Sequence, residues 1–353
     1  MRWDQLTVEE QARRALPGFR DGALVRTFDA PEAMDIRFYE VRAKSAINRV
    51  PERSRMPFRW TINPYRGCTH SCRYCFARPT HTYLDMNARE DFEREIVVKV
   101  NAPELVRREL GRPSWKGEHV AMGTNTDPYQ WVEGRYKLMP GIWEAMRDFA
   151  NPCSILTKSP LVLRDKNLLK EISERTTVTA NFSVPTLDEK TWRETEPHTP
   201  NPRARLEAVA ELNRLGIPTG ILIAPLMPGI NDSPEQVERI IEIATEAGAV
   251  SIGGIALHLR GEVRDIFFDW LREHRPDLIP RYEQLYARGA YAPKEVQERM
   301  RKLASRPGSP PRRFLKDRDD PDDPAARDPA RSREQARNGS APERQKAPQE
   351  SLF

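Results

Sequence analysis

Cysteine is scarce in this chain of 353 residues: there are 4, against 57 Lys plus Arg and 52 Asp plus Glu. Three stand close together, Cys68, Cys72 and Cys75, and Cys153 stands apart, which does not make a disulfide framework. Long apolar runs are missing too. No stretch approaches the length of a membrane span, and the opening "MRWDQLTVEEQARRALPG" has no apolar leader region. These absences predict a cytoplasmic protein with reduced thiols, in which bunched cysteines serve metal binding or catalysis. No long basic block occurs either. The formal net charge of +5 is spread among nearly as many acids, so nucleic acid stays among the candidate partners without being singled out.

Apolar residues make up only 38% of the chain, and its end accounts for much of the shortfall. Residues 305–353 are rich in Pro, Arg, Asp and Ser and almost free of apolar side chains. Such a segment cannot bury enough surface to offset its ordering entropy, and it predicts a disordered tail.

What is present in the middle is a regular alternation. Short β-rich apolar runs occur at 58–63, 119–125, 153–159, 177–184, 219–227 and 249–259. Helically spaced segments lie between them, such as "RARLEAVAELNRLG" and "SPEQVERIIEIATEAG". In the latter, Ser233 is an N-cap candidate, Pro234 opens the helix, Gln236 offers a capping-box partner and Gly248 stops it. Apolar strands alternating with helices predict an α/β fold with a covered parallel sheet. Six strands are too few for a closed eight-stranded barrel, so a partial (β/α)6 barrel and an open doubly wound sheet both fit the pattern. The division expected is an N-terminal extension over 1–57, lacking a clear strand–helix unit, then the α/β region over 58–260. A C-terminal helical cap follows over 261–304, then the tail.

The cysteine cluster lies in "NPYRGCTHSCRYCFAR", directly after the first predicted strand. Parallel α/β folds carry their chemistry on such loops at strand carboxyl ends. Three thiolates cannot close a structural zinc site unaided. Zinc would need His70, His81 or a distant residue as fourth ligand, and structural sites usually pair two C-x2-C knuckles where this chain has one. A [4Fe–4S] cluster on three thiolates leaves one iron free for a further ligand, and the spacing favours it.

The C-x3-C-x-aromatic-C loop after the first strand of a six-strand α/β pattern resembles the radical S-adenosylmethionine superfamily. More narrowly, "NPYRGCTHSCRYCFARPTH", "GTNTDPYQ", "TKSPLVLRD" and "APLMPGINDS" are similar to the group called DNA repair photolyases, relatives of spore photoproduct lyase. The resemblance spans roughly residues 45–300 and implies a radical SAM enzyme with a partial (β/α)6 barrel. It implies Cys68, Cys72 and Cys75 as cluster ligands and Tyr74 beside the adenine of S-adenosyl-L-methionine. It sets Thr124, Asn125, Thr126 and Asp127 near the methionyl amino group, Lys158 at the carboxylate and Ser183 at another cofactor contact. The implied chemistry is reductive cleavage of that cofactor, with an electron donor of flavodoxin or ferredoxin type, and hydrogen abstraction from an unidentified substrate. Two departures touch the lyase's own step: Thr124 stands where the lyase has its hydrogen-returning cysteine, and Phe76 where it has a tyrosine. A DNA-lesion lyase and a non-catalytic iron–sulfur or zinc module are the alternatives. His198 and Arg205 are weaker substrate-facing candidates, Arg205 also reading as a solvated helix position, and Cys153 reads as a core thiol.

Overall fold

The computed structural model describes residues 8–28, 35–52, 54 and 56–305. The expected tail lies, from residue 306 on, outside the described residues. The strands are β1 (Val8–Leu16), β2 (Phe19–Phe28), β3 (Arg37–Val41), β4 (Ile47–Arg49), β5 (Trp60–Ile62) and β6 (Tyr65–Arg66). They continue with β7 (Glu95–Lys99), β8 (Val120–Met122), β9 (Cys153–Thr157), β10 (Val178–Ser183), β11 (Thr219–Leu226) and β12 (Ile252–Ala256).

All six apolar runs form strands of one seven-stranded sheet, in the order β12-β11-β10-β9-β8-β5-β4. From β5 to β12 every neighbour pair is parallel and spatial order follows chain order, while β4 closes the β5 edge antiparallel. A doubly wound sheet reverses its strand order at a switch point, and this sheet has none. The arrangement is that of a partial (β/α)6 barrel, with no ladder joining β12 back to β4 among the described residues.

Helices cover the sheet because their apolar faces match its strands. The helix Pro234–Glu246 buries Val237, Ile240, Ile241 and Ala244 at helical spacing, and the Ser233 hydroxyl accepts the Gln236 N–H at its start. Helix Pro202–Arg214 buries Leu206, Val209 and Leu212 in the same core. After β12, helices Glu262–His274, Ile279–Leu285 and Lys294–Leu303 follow. Phe267, Trp270, Leu271 and Tyr282 of this group share an apolar cluster with Cys72 and Tyr74, so the capping helices pack on the cysteine loop itself.

The N-terminal segment is richer in strands than its composition suggests. β1, β2 and β3 join β7 and β6 in a second sheet, ordered β1-β2-β3-β7-β6. Gly18, at φ 84°, turns β1 into β2. Propensity is weak in this charged stretch; pairing along β2 makes β1 a strand.

Candidate metal and cofactor site

The three thiols lie on the loop between β6 and the helix that precedes β7. Gly67 enters the loop at φ 78°, and a Cβ there would come within 2.8 Å of Ile96 Cδ1 and 3.0 Å of the Phe92 carbonyl. Only glycine lets the chain pass so close. Cys68 and Cys72 are buried and Cys75 is partly so.

Arg78 holds the loop in shape. Its guanidinium is fully buried and donates to the carbonyls of Cys72 at 3.0 Å, Ser71 at 3.1 Å, Ala88 at 3.2 Å and Arg89 at 2.9 Å. It also pairs with Glu93 at 2.6 Å. The loop after β8 braces the other side. Gln130 accepts the Thr69 N–H at 3.0 Å and donates to the Gly67 carbonyl at 3.2 Å, while the Thr126 hydroxyl donates to the Tyr65 carbonyl at 2.9 Å. Gly123, at φ 74°, lets this loop pass close to β9, since a Cβ would sit 1.8 Å from the Leu156 carbonyl oxygen.

Burial is the main influence on each thiol and pushes all three up, Cys68 to about 12. Each is then moved by its neighbours. Charge on Cys75 raises Cys68, charge on both raises Cys72, and the cations Arg78 and Lys158 pull Cys75 back down. Three thiols bunched on one loop in apolar surroundings, with cations beside them, form a donor set suited to an iron–sulfur cluster, whose irons would keep them ionised. Among the described residues no three Cys, His, Asp or Glu side chains converge as ligands of a single ion would. The fit therefore rests on the donors and their burial. Of the two histidines named for zinc, His81 holds the Glu95 carbonyl with Nε2 at 2.9 Å and leaves Nδ1 buried without a partner, and His70 Nδ1 is 3.4 Å from Asp127 Oδ2.

Asp127 is a junction. Its carboxylate accepts from the Thr157 hydroxyl at 2.7 Å, the Lys158 N–H at 2.7 Å and the Tyr129 N–H at 2.9 Å. Those bonds tie the β8 loop to the end of β9. Thr124 and Asn125 are half-buried beside it, and their side chains make no hydrogen bond among the described residues.

Tyr74 and Lys158 meet on a residue that the sequence pattern did not single out, Glu196, and Ser183 joins them through Lys158. The Lys158 ammonium lies 2.7 Å from Glu196, 2.6 Å from the Ser183 hydroxyl and 5.6 Å from the centre of the Tyr74 ring. The Tyr74 hydroxyl donates to Glu196 as well. Arg205, expected among solvated positions, is fully buried and pairs with Glu196 at 2.6 Å. A guanidinium with a carboxylate, a hydroxyl and two carbonyls around it no longer needs water, so this helix position turns inward. Burial alone would raise the Glu196 carboxyl, but Arg205 and then Lys158 hold it down at about 2. His198 is exposed. Cys153 is fully buried in β9 within the main core, as a core thiol would be. At the rim, Phe76 and Tyr291 are 49% and 65% exposed and flank His258, with ring centres 5.9 and 5.3 Å from it. No described helix is long and apolar enough to cross a membrane.

Comparison with known proteins gives three findings. Residues 62–244 match the model of the Radical SAM superfamily. An uncharacterized protein of Mycobacterium tuberculosis is 45% identical over 287 residues, covering 81% of this chain and 84% of that protein. Another, from Methanocaldococcus jannaschii, is 30% identical over 208 residues, covering 58% and 72%. Among solved structures, spore photoproduct lyase complexed with dinucleoside spore photoproduct aligns with a TM-score of 0.53 at 15% identity, covering 75% of this chain and 78% of that one. A mutant of the same lyase with bound AdoMet and the dinucleoside aligns at 0.52 and 16% identity, covering 75% and 77%. At such identity the likeness is one of fold.

Proposed function

The chain belongs to the radical SAM superfamily, and from that premise we propose that it cleaves S-adenosylmethionine reductively and abstracts hydrogen from a substrate. Three thiols on the loop after the first parallel strand, two of them buried and the third partly so, carry this reading. Cys68, Cys72 and Cys75 hold a [4Fe–4S] cluster. When bound, the reduced cluster and S-adenosylmethionine supply the radical chemistry. The chain's own contribution is to bind, orient and exclude water. Arg78 and Gln130 fix the loop, and the apolar side chains under the capping helices keep solvent from it. Lys158 takes the methionyl carboxylate, with Ser183 and Tyr74 beside it. Thr124, Asn125 and Thr126 line the amino end, Thr126 through its hold on the Tyr65 carbonyl, and Asp127 braces that loop rather than pointing free.

The reading includes a cytoplasmic protein served by an electron donor of flavodoxin or ferredoxin type. It also divides the chain at 57, 260 and 304 into extension, barrel, cap and tail. The test is anaerobic reconstitution followed by dithionite reduction with S-adenosylmethionine, counting methionine and 5'-deoxyadenosine by chromatography. Release of neither, by protein with a full iron complement, overturns the reading and leaves a binding module.

A second reading, action on a nucleobase of DNA, is favoured by the exposed rings of Phe76 and Tyr291 on either side of half-buried His258, since planar bases stack on such rings. Deuterium exchange between 5'-deoxyadenosine and candidate substrates distinguishes a base from a peptide or metabolite.

A further inference from the structure

Glu196 ties together three segments far apart in sequence. Its fully buried carboxylate receives the Tyr74 hydroxyl from the cysteine loop and the Lys158 ammonium from the end of β9. Arg205 reaches it from helix Pro202–Arg214 and also donates to the Ser183 carbonyl at 2.8 Å, at the end of β10. Thr199 Oγ1 adds a contact at 3.2 Å. The backbone continues the join, because the Arg73 N–H donates to the Thr195 carbonyl at 2.9 Å.

The charges here are unequal in a useful way. Glu196 and Arg205 are both fully buried and cancel each other. Lys158, with its side chain 14% exposed, is the second cation on the same carboxylate and the one open to a ligand. Asp127, the next acid, turns its oxygens to Thr157, Tyr129 and the Lys158 N–H rather than to the ammonium. Lys158 thus keeps a positive charge for an incoming anion, while Glu196, Ser183 and the Tyr74 ring fix where that charge stands.

We propose that Glu196 is a positioning residue for cofactor binding, holding Lys158 at the place where it meets the carboxylate of S-adenosylmethionine. The role rests on the reading that Lys158 contacts that carboxylate. It differs from a general structural role in one respect: its loss should be felt by ligands that carry a carboxylate and not by those that lack one.

The experiment measures calorimetric affinities of cluster-reconstituted protein for S-adenosylmethionine and for its decarboxylated analogue. The wild type is expected to prefer the carboxylate-bearing ligand. Glu196→Gln should weaken that ligand by about tenfold to a hundredfold, the equivalent of one charge-assisted hydrogen bond, and leave the analogue nearly unchanged. Lys158→Met should lower the preference by at least as much as Glu196→Gln, and adding Glu196→Gln to it should cost no further selectivity, because the two act through one contact. Equal weakening of both ligands by Glu196→Gln, or additive losses in the double variant, overturns the proposal. Glu196→Asp keeps the charge at a shorter reach and should fall between; it carries the test if the amide variant does not fold, and unchanged selectivity in it overturns the proposal. A wild type without preference sinks the Lys158 reading and this role with it, whereas selectivity lost only in Lys158→Met sinks this role alone.

Discussion

Replacing Arg78 with methionine tests the idea that one buried guanidinium shapes the cysteine loop. The substitution keeps most of the volume and removes the charge and every donor. Four carbonyls and the Glu93 carboxylate lose a partner, at distances of 2.6–3.2 Å. Counted singly, five such bonds to a charged group would sum to about 7–15 kcal/mol. The sum overshoots, because the carbonyls have second lone pairs and Glu93 is partly exposed and keeps Ser71 and Arg73. Breaking one buried pair typically costs about 3–5 kcal/mol, the figure to expect here. At roughly 2–3 °C per kcal/mol for a chain of this size, the apoprotein's Tm should fall by about 6–15 °C. Arg78→Lys restores the charge but not the planar fork and should recover less than half of the loss. Thermal unfolding of the metal-free protein, with iron content after reconstitution, is the assay. If Arg78→Met unfolds within about 1 kcal/mol of the wild type and loads iron normally, the loop is held by something else.

Anaerobically purified protein should carry about four irons and four sulfides, lost in Cys72→Ala together with 5'-deoxyadenosine formation; stoichiometric zinc without iron-dependent absorbance would refute the cluster. Cys153→Ser should keep cofactor cleavage and lose roughly 1–3 kcal/mol, since the buried hydroxyl finds no partner. Stability should fall with acid because His119 is half-buried with an unpartnered Nε2, and burial lowers it from 6.5 to about 4. The unfolded chain then binds the extra proton between those values, so stability is full above pH 6.5 and declines as pH falls towards 4, with about 2 kcal/mol gone by pH 5. His119→Phe should flatten that part of the profile in urea titrations, and an unchanged slope would show that another group is responsible. Finally, reduced enzyme given spore photoproduct should restore little thymine per 5'-deoxyadenosine, since neither Thr124 nor Phe76 supplies a thiol or phenolic hydrogen; efficient multiple-turnover repair would overturn that expectation.

Several features were legible because they are local. The Cys68, Cys72 and Cys75 spacing, the six apolar runs and the Ser233 cap each sit within one short window, and the structure realises the runs as strands and the cap as a hydrogen bond. The need for glycine at Gly123 was not legible, because it comes from the Leu156 carbonyl of the neighbouring strand. Strand order was not local. A partial barrel and a doubly wound sheet share the same strand–helix alternation, and only the ladder from β5 through β12 separates them. β1 was hidden for the same reason, because its strand character comes from β2 across a turn.

The charges of the site divide along the same line. The amino-acid sequence by itself determined which chemical groups exist and where each strand–loop unit delivers them: three thiols, a lysine after β9, two acids and two arginines in "ETEPHTPNPRAR". It could not distinguish a solvated Arg205 from a buried one, nor rank Glu196 above the acids around it. Tyr74 and Glu196 are 122 positions apart, and Arg205 meets Glu196 only after a helix has turned it inward. Whether a charge is costly or stabilising depends on the water it loses and the partners it gains. Both are set by segments distant in sequence, so the tertiary structure alone decided which ionised groups form the site.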